Sequence, residues 1–504
     1  MKRAYVRTLT RVAFAALPLA GPSCASRTTS SSNETSSAGN SSSGISSATT
    51  GGGSSSSPAS SSGTSSSSTS TSSGALSSTS ADASPATSSS SSSYVGTKTP
   101  GTAQPGDVTV DPGTTYQTVD GFGEADVWQG TPSAAQQTLL FDPVNGIGLT
   151  LLRVGIESVS GTSVIMGTAG LADGPVITKF GGKVWAAPWS PPAADKNNDN
   201  VDGPGSNNDN TLKSADYGAW ATTLAAFPAY YKAQTGVDLY AVSAQNEPDF
   251  NATYESCLYS ASQLVNFIDL LGPLLAALDP PVMVLAAEPD NWGNLWGGDG
   301  YGSAILADPG ADSYVGPIAT HDYGGTSAGT YARPAPPANN THHVWETECT
   351  PSGTDAITIA TMIYAAFTTG GVSGWHYWWT ESLLPNGASN PPPQLFALGN
   401  FSKYVRPGYV RADVTGAPTP SASAPLVVAF TNPPDATLAI VVVNGGEAQQ
   451  ISFFVSGTAW PGTVVPYVTS ATAQLTAGTT IPVTAARFMA SLDAQSVTTF
   501  VGKP

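Results

Sequence analysis

The sequence predicts an α/β protein, a (β/α)8 TIM barrel with an attached side β-sandwich, preceded by a disordered Ser-rich tether. Between about residues 106 and 400, eight short apolar runs alternate with segments of helical periodicity. Such an alternation is typical of a parallel sheet buried on both faces, and eight units favour a closed barrel. After residue 401 the runs are rich in Val and Thr and are separated by Gly, Pro and Asn, which indicates antiparallel β-structure.

The first 24 residues are predicted to be an export signal. Basic residues precede the apolar run Val12–Ala20, which is too short to span a membrane. Cys24 follows in a segment that only partly matches a lipoprotein cleavage box, with Pro22 as the unusual residue, so both lipidation of Cys24 and simple cleavage with release stay open. Residues 25–105 are mostly Ser, Thr, Gly and Ala and cannot bury enough apolar surface to fold. The chain is therefore expected to be secreted or to lie on the cell surface.

The eight predicted barrel strands occupy residues 106–400, and most of them precede a segment compatible with a helix. Two such helices are predicted over Ser214–Gly236 and Ser262–Leu278, and Ser214 is a good N-cap for the first. The strands are Gln117–Gly123, Leu149–Val154, Val184–Trp189, Leu239–Gln245, Val282–Ala287, Ile318–Tyr323, His343–Thr347 and Trp375–Trp379.

The predicted side β-sandwich occupies residues 401–504. The segment 106–116 precedes the first barrel strand, and its run Asp107–Val110 is a candidate to join the sandwich. The predicted strands are Leu426–Phe430, Leu438–Val443, Gln450–Val455, Thr463–Val468 and Ser496–Val501.

The composition argues against several classes of partner. A formal charge of −17 and a pI near 4.4 disfavour nucleic acid and anionic membranes. Charged residues make up only 11% of the chain, which suits a neutral polysaccharide. No segment after the N-terminal run is long and apolar enough for a transmembrane helix, and a monomer is expected. No CxxC or His-rich spacing suggests a metal site, and no cofactor is expected.

Two glutamates end apolar runs that lie far apart in the sequence. Glu247 follows the run Val237–Val242, and Glu348 closes the run His343–Thr347. Both side chains are expected on one face, because the carboxyl ends of barrel strands meet there. Two carboxyl groups about 5–5.5 Å apart are what a retaining glycosidase uses as acid/base and nucleophile. Glu346 would point the same way as Glu348 in a regular strand and is the main competitor for the nucleophile.

Two cysteines lie in the part that is predicted to fold. Cys257 follows Glu247 by a short loop, and Cys349 directly follows Glu348. Both loops are expected on the same barrel face. In an oxidising compartment, a disulfide between Cys257 and Cys349 and two separate buried thiols are both compatible with the sequence.

From about Asp107 to its end the chain resembles glycoside hydrolase family 30, and most of all its glucuronoxylanase (endo-β-1,4-xylanase) branch. Eight motifs in the family's order carry the resemblance, which implies a (β/α)8 barrel with a tightly attached β-sandwich. The motifs are Gln117–Gly123, Leu151–Val154, Ala187–Pro192, Gln245–Asp249, His321–Tyr323, Trp345–Glu348, Phe401–Tyr409 and Ser496–Val501.

The resemblance also implies roles for individual residues. Glu247 matches the family's acid/base and Glu348 its nucleophile, and Asn246 matches the residue that binds the sugar 2-hydroxyl. The remaining matches are expected around the nucleophile or against sugar rings. Arg153, Tyr323 and His321 are expected near Glu348, and Trp128, Trp189 and Trp378 are expected to offer aromatic faces to sugars.

The chain departs from the family's pattern at positions that bear on the substrate. In the glucuronoxylanase branch the loop after strand eight carries an arginine for the glucuronate substituent, whereas here Thr380-Glu381-Ser382 follow and no Arg or Lys occurs before Lys403. A basic residue from another loop, Lys196 or Lys213, is the alternative source of that charge. The expected activity is a retaining endo-β-1,4-xylanase that does not depend on glucuronate.

Three other family 30 activities stay open, namely β-1,6-glucanase, galactanase and β-xylosidase. A further alternative from a different class is a non-catalytic carbohydrate-binding protein on the cell surface. The paired glutamates argue against that alternative, because a barrel that has lost activity usually lacks one of them.

Overall fold

The computed structural model describes residues 99, 101–159, 163–165, 168–204, 209–297, 300–323, 333–350, 355–385 and 391–504. The predicted export signal, Cys24 and the predicted tether lie outside these residues, except for residues 99 and 101–105 at the end of the tether. Within them, no helix combines the length and hydrophobicity that a membrane crossing requires.

Eight parallel strands close into a barrel. They are β2 (Gly121–Asp126), β3 (Leu151–Val159), β5 (Lys183–Pro188), β6 (Ala241–Ser243), β7 (Met283–Ala287), β8 (Val315–His321), β9 (Val344–Glu348) and β10 (Gly374–Tyr377). Each strand pairs in parallel with its neighbours, and the pairing of β2 with both β10 and β3 completes the ring. A short strand, β4 (Ser163–Ile165), pairs antiparallel with the end of β3.

The barrel interior is filled largely by aromatic rings. The ring centroids of Trp185 and Trp345 each lie within 5.6 Å of the buried His376 ring, and Tyr240 stacks on Trp345 at the amino-terminal end of the strands. Alternate strand residues such as Leu152 point outward against the helices. Strands that are buried on both faces read as continuous apolar runs, which is why the sequence predicted them.

Nine helices are present in the described residues, and most of them pack around the barrel. They are α1 (Ala134–Phe141), α2 (Thr168–Lys179), α3 (Tyr217–Thr235), α4 (Ala261–Ala276), α5 (Tyr301–Ala307), α6 (Pro309–Tyr314), α7 (Ala356–Thr368), α8 (Thr380–Leu383) and α9 (Pro393–Ser402). Helix α4 begins with a capping box in which Ser260 and Gln263 bind each other's backbone N–H groups. Helix α3 ends at Thr235 and is capped by Gly236, whose φ of 75° suits glycine.

A second, mostly antiparallel sheet packs beside the barrel and includes the segment that precedes the first barrel strand. Its strands are β1 (Asp107–Thr118), β11 (Val410–Thr415), β12 (Leu426–Asn432), β13 (Thr437–Asn444), β14 (Gln449–Val455), β15 (Thr463–Thr469), β16 (Thr476–Ala477), β17 (Ile481–Pro482), β18 (Arg487–Leu492) and β19 (Ser496–Gly502). The strand order is β16-β15-β19-β13-β12-β11-β1-β14-β18, with β17 paired to β15.

Strand β12 shows how this sheet joins the barrel. Val427 and Ala429 face the sheet's own apolar core, whereas Val428 and Phe430 face the barrel's helices. The Phe430 ring meets the edge of Phe367 in α7, with the centroids 5.5 Å apart. The central strands of the sheet are therefore buried on both faces, and the sheet shares its core with the barrel.

The predicted fold class is confirmed, and the predicted strands lie within a few residues of the observed ones. Strands β11 and β18 and the short strands β4, β16 and β17 were not predicted. Arg411 and Asp413 interrupt the apolar pattern of β11, and Ala490 and Ser491 give β18 few of the branched residues typical of strands.

Three buried carboxyl groups lie between the barrel and its first helices. Glu124 and Asp126 on β2 and Asp173 on α2 are each at most 2% exposed, and no other atom among the described residues hydrogen-bonds to the Glu124 carboxyl oxygens. Burial and the neighbouring carboxylates raise the pKa of Glu124 and raise the pKa of Asp126 to about 9. Burial raises the pKa of Asp173 to about 6. The polar groups that face them are Gln129, Gln137 and Tyr231.

We therefore expect the free energy of unfolding to fall as the pH rises. A group whose pKa is higher in the folded state stabilises that state through its bound proton. This contribution is complete below the pKa of the unfolded state, near pH 4, and is lost as the pH rises to the pKa of the folded state. Each pKa unit corresponds to about 1.4 kcal/mol. Urea unfolding between pH 4 and 9 should show this decline, and Asp126→Asn should flatten it.

Asp238→Asn is the matched control, because it removes a half-exposed carboxylate that pairs with Lys232 on the surface. It should keep the decline of the unmodified chain, because it leaves the buried cluster intact. A decline in Asp126→Asn as steep as in the unmodified chain would contradict the assignment to the buried cluster.

Candidate active site

Four residues that follow the carboxyl ends of barrel strands have a left-handed backbone conformation. Trp128, Glu247, Glu288 and Trp379 have φ values of 55°, 44°, 55° and 70° and follow β2, β6, β7 and β10. Residues other than glycine rarely adopt this conformation, and strained residues of this kind cluster at functional sites. The strain therefore points to the carboxyl-terminal face of the barrel, where this fold carries its active sites.

Glu247 and Glu348 meet on this face. Each is 3% exposed, and a carboxyl oxygen of each lies within 4.8 Å of the other and of a ring nitrogen of His321. The loop after β6 carries Glu247, and Glu348 ends β9. The two strand ends thus bring together glutamates that are 101 positions apart in the sequence.

Two side chains hold the carboxylate of Glu348. The Tyr323 hydroxyl donates to Oε1 at 2.7 Å, and the Arg153 guanidinium binds Oε2. Burial raises the pKa of Glu348, whereas the charges of His321 and Arg153 oppose that rise. The arginine therefore favours the ionised form of Glu348, which is the form that a nucleophile requires.

Glu247 lies between a histidine and a tyrosine. His321 Nδ1 lies 3.2 Å from Oε1 of Glu247, and the Tyr254 hydroxyl donates to Oε2 at 3.1 Å. Burial lowers the pKa of His321, but the charge of Glu348 and hydrogen bonds to Glu247 and Glu288 raise it to about 10. A carboxyl group and an imidazole that can exchange a proton are thus in contact, and the imidazole Nδ1 also lies 3.8 Å from Oε2 of Glu348.

Arg153 links the two glutamates to the rest of the site. Its guanidinium binds Glu348, donates to Asn246 Oδ1 at 2.5 Å and lies 3.1 Å from Glu288 Oε1. It is fully buried, and its central carbon lies 4.6 Å from the centroid of the Trp189 ring. Burial raises the pKa of Glu288, but the charge of Arg153 and the contacts with His321 lower this pKa to about 2. Two buried carboxylates therefore balance this one arginine.

Four aromatic rings form a cluster beside the carboxyl groups. Trp128 packs against Trp189, Tyr254 and Trp378, with ring centroids 5.1, 6.0 and 6.3 Å away. Trp128 is 41% exposed, whereas Trp189 and Trp378 are 2% and 7% exposed. Of the three tryptophans predicted to face sugars, Trp128 therefore offers the most accessible ring, and the other two mainly support it.

Glu346 does not compete with Glu348, because the strand is irregular between them. Thr320 pairs with Glu346 and His321 pairs with Glu348, so β9 has one extra residue, Thr347, at a β-bulge. The bulge turns Glu348 towards Arg153, whereas Glu346 accepts hydrogen bonds from two tryptophans and an arginine outside the barrel interior. Those donors are Trp292, Trp375 and Arg333. The expectation that both side chains point the same way was wrong.

The disulfide that the sequence allowed between Cys257 and Cys349 is not formed. The Cys349 thiol lies 4.0 Å from Met362 Sδ beneath α7. Cys257 is buried under a different loop near Lys196, and burial raises the pKa of its thiol to about 12. The two side chains therefore point into different parts of the core, although both follow active-site strands.

Two groups of described residues present side chains that could ligate a metal ion. One is Glu247, His321 and Glu348, and the other is Asp322, Glu346 and Cys349. An arginine already neutralises each group, Arg153 in the first and Arg333 in the second. A cation would have to displace a buried guanidinium, so the chemistry of both groups favours ion pairing over metal binding.

The structure brings together all of the residues expected to be catalytic or to bind the substrate, and it adds two that sequence reasoning missed. Glu288 directly follows the predicted strand Val282–Ala287, so its strand-end position was a usable signal. Tyr254 lies in the loop after Glu247 and had no comparable signal. Its hydroxyl reaches Glu247 only through the folding of that loop.

Comparison with known proteins gives a consistent result. The family model described as the glycosyl hydrolase family 30 TIM-barrel domain matches residues 178–345. Glucuronoxylanase XynC of Bacillus subtilis (strain 168) is 29% identical over 417 residues, which cover 78% of this chain and 91% of the relative.

Two solved structures are similar to most of the chain. One is a glycoside hydrolase family 30 subfamily 8 xylanase, Xyn30A, from Clostridium acetobutylicum, with 30% identity and a TM-score of 0.69. The other is a GH30 endoxylanase from Clostridium papyrosolvens C71, with 28% identity and a TM-score of 0.66. Each similarity covers 79% of this chain and 100% of the other chain.

The aromatic cluster leads to a prediction about stability. Trp378→Ala should lower the free energy of unfolding by about 3–5 kcal/mol, because it empties a buried site. Trp128→Ala should cost about 1 kcal/mol, since a large part of that ring is already exposed. Urea unfolding of both variants measures the difference. Equal losses would show that Trp128 is a core residue and not an accessible platform.

Proposed function

Because the chain belongs to glycoside hydrolase family 30, we propose that it is a retaining glycosidase that cleaves β-linked plant cell-wall polysaccharide, most of all the β-1,4-linked backbone of xylan. The observation that carries the mechanism is the separation of at most 4.8 Å between carboxyl oxygens of Glu247 and Glu348. Retaining enzymes hold their two carboxyl groups about 5–5.5 Å apart, whereas inverting enzymes leave about 6.5–9.5 Å for a water molecule. The short separation supports a direct attack by one carboxylate.

In the first step the Glu348 carboxylate attacks the anomeric carbon while Glu247 gives its proton to the departing glycosidic oxygen. The bond between the anomeric carbon and that oxygen breaks, and an ester between the sugar and Glu348 forms. In the second step Glu247 takes a proton from water, and the resulting hydroxyl displaces Glu348 from the anomeric carbon. The configuration of the sugar is thus retained, and Glu247 regains its proton.

The surrounding residues assist both steps. Arg153 and Tyr323 hold the Glu348 carboxylate at both oxygens, so its ionised form is oriented before the substrate arrives. Arg153 also binds Asn246 Oδ1, which leaves the amide N–H groups of Asn246 to a sugar 2-hydroxyl. The exposed part of the Trp128 ring offers a sugar a face next to these groups.

A xylan substrate is supported by the relatives, which are named glucuronoxylanase, xylanase and endoxylanase. Dependence on glucuronate is not supported by the loop after β10. Thr380 and Ser382 are engaged with backbone carbonyl groups, and Glu381 adds a negative charge. A carboxylate on the substrate would find no cation in the described part of this loop.

The two lysines that could replace the missing arginine are already bound. The buried Lys196 ammonium donates to the carbonyl groups of Val201 and Ser256 at 2.8 and 2.6 Å. Lys213 donates to a carbonyl and to the carboxylate of Asp199. The internal stretches that the structure does not describe contain no Lys or Arg. We therefore propose that the enzyme acts without recognising glucuronate, and that it is exported to reach its polymeric substrate.

The catalytic assignment predicts different behaviour for the two glutamates. Glu348→Gln should abolish turnover of xylan, because no nucleophile remains. Glu247→Ala should be rescued in part by azide on an aryl β-xylooligosaccharide, because its leaving group departs without a proton from Glu247 and azide attacks the glycosyl-enzyme without needing a general base. Proton NMR of the rescued product should show a β-glycosyl azide. An α-azide, or inverted sugar from the unmodified enzyme, would exclude the retaining mechanism.

The substrate assignment predicts comparable or higher rates on arabinoxylan and unbranched xylan than on glucuronoxylan. A charge-assisted contact with glucuronate would contribute roughly 1.5–3 kcal/mol, or tenfold or more in preference, and this chain lacks it. Mass spectrometry of the products tests the point. Glucuronoxylan products that all carry one glucuronate at a fixed distance from the reducing end would contradict it.

The same assay separates the remaining alternatives when β-1,6-glucan, galactan and aryl β-xyloside are included. Hydrolysis of one of these in place of xylan would identify another family 30 activity. Binding to a polysaccharide with no hydrolysis of any substrate would identify a carbohydrate-binding protein.

A further inference from the structure

Glu288 is a fully buried carboxylate beside the proposed catalytic pair but outside it. Its Oε1 lies 3.4 Å from His321 Nε2 and 3.1 Å from Arg153, and its Oε2 accepts a hydrogen bond from Ser243. Its backbone carbonyl accepts the N–H of Glu247 at 3.0 Å. Glu288 thus contacts the acid/base loop through its main chain and the neighbouring histidine through its side chain.

These contacts determine which nitrogen of His321 carries a permanent proton. The pKa of Glu288 is held at about 2, so its carboxylate can only accept a hydrogen bond. His321 Nε2 faces this carboxylate and must therefore be the N–H donor, whether the ring is neutral or charged. The proton that can come and go lies on the other side of the ring, between Nδ1 and the Glu247 carboxyl group 3.2 Å away.

We propose that Glu288 is a positioning residue for the acid/base step: it fixes the Nε2–H form of His321, so that Nδ1 and Glu247 share the proton delivered to the leaving oxygen. This inference rests on the proposed function of Glu247. When Glu247 gives its proton to the glycosidic oxygen, the pair loses one proton, and the attacking water restores it. Glu288 stays ionised throughout and neither gives nor takes a proton.

The charge of Glu288 should set the pH range in which the pair keeps its proton. Removing this negative charge makes both His321 and Glu247 easier to deprotonate, so the alkaline limb of the rate profile should move to lower pH. An opposite charge within about 4–6 Å typically shifts a pKa by 1–3 units, which predicts a shift of about one unit or more. Among the described residues, the other titratable or charged groups that face this network include Arg153, Tyr254, Tyr323, Glu348 and the neutral His376. They also include Asp249, whose pKa is raised to about 7 by burial and by the neighbouring charges of Asp290 and Glu247.

The first experiment compares the pH dependence of kcat in the unmodified enzyme, Glu288→Gln and Glu288→Asp on arabinoxylan. Glu288→Gln should move the alkaline limb by about one pH unit or more. KM should be nearly unchanged, because the Glu288 side chain is fully buried. Glu288→Asp keeps the charge but withdraws it from Nε2, so it should shift the limb less. An unchanged limb in both variants would overturn the proposal.

Glu346→Gln is the matched control. Glu346 is as buried as Glu288 and is also paired with an arginine, but its partners are Arg333 and two tryptophans and do not include His321. Its loss should reduce stability without moving the alkaline limb. A shift in Glu346→Gln equal to that in Glu288→Gln would show a general effect of losing a buried carboxylate and would overturn the specific role of Glu288.

A second experiment reads His321 directly and needs no turnover. The chain has only four histidines, so ¹⁵N-histidine NMR can follow each ring through a pH titration. We expect His321 to lose its proton at Nδ1, and to do so about one unit or more lower in Glu288→Gln. Loss of the proton from Nε2, or an unchanged titration in Glu288→Gln, would overturn the proposal. Absence of activity on every glycan would instead refute the proposed function, while this titration would still report on Glu288.

Discussion

The buried guanidinium of Arg153 is the interaction on which the rest of the site depends. A charge that is completely removed from water must be compensated, and here Glu348 and Glu288 provide two carboxylates while Asn246 provides an acceptor. Removing one member of such a network leaves an unpaired buried charge, which typically costs about 3–5 kcal/mol. The same pairing favours the ionised form of Glu348 and orients Asn246. Stability and reactivity therefore rest on the same contacts.

The barrel beneath this network explains how a cation can be tolerated there. The Arg153 guanidinium lies over the rings of Trp185 and Trp189, at 5.2 and 4.6 Å from their centroids. Aromatic faces stabilise a desolvated cation by up to about 2 kcal/mol. Below them His376 stays neutral, because burial lowers its pKa to about 3, and it accepts a hydrogen bond from Trp185. The aromatic filling thus supports the arginine without adding a competing charge.

The sequence predicts the fold and the strand-end positions of Glu247 and Glu348 through regular periodicity, whereas the residues around them were expected only from the resemblance to family 30. Strands buried on both faces read as apolar runs, and residues that follow their carboxyl ends meet on one face. What it could not predict depends on departures from that regularity. The bulge at Thr347 turns the side chains of Glu346 and Glu348 in different directions, and no residue type at this position predicts a bulge. The thiols of Cys257 and Cys349 follow strands of one face yet point into separate parts of the core, since the direction of a side chain in a loop is set by packing.

Buried carboxyl groups have three kinds of environment in this chain, and the environment distinguishes those of the proposed active site from those with a structural role. Around Arg153 they are paired with charge, which favours their ionised forms, and they lie beside an accessible aromatic ring. Glu346 is held by indole N–H groups and an arginine away from that ring and supports the barrel wall. The cluster on β2 and α2 has no cation among its contacts in the described residues, so burial and mutual repulsion favour the protonated forms of Glu124, Asp126 and Asp173.

The environment around Arg153 and the environment of the cluster on β2 and α2 set opposite requirements on the pH. An ionised Glu348 needs a pH above its own pKa, whereas Asp126 stays protonated only below its pKa of about 9 and Asp173 only below its pKa of about 6. The first requirement bears on the proposed reaction and the second on the stability of the fold. Both follow from one structural difference, which is whether an arginine lies within reach of the buried carboxyl groups.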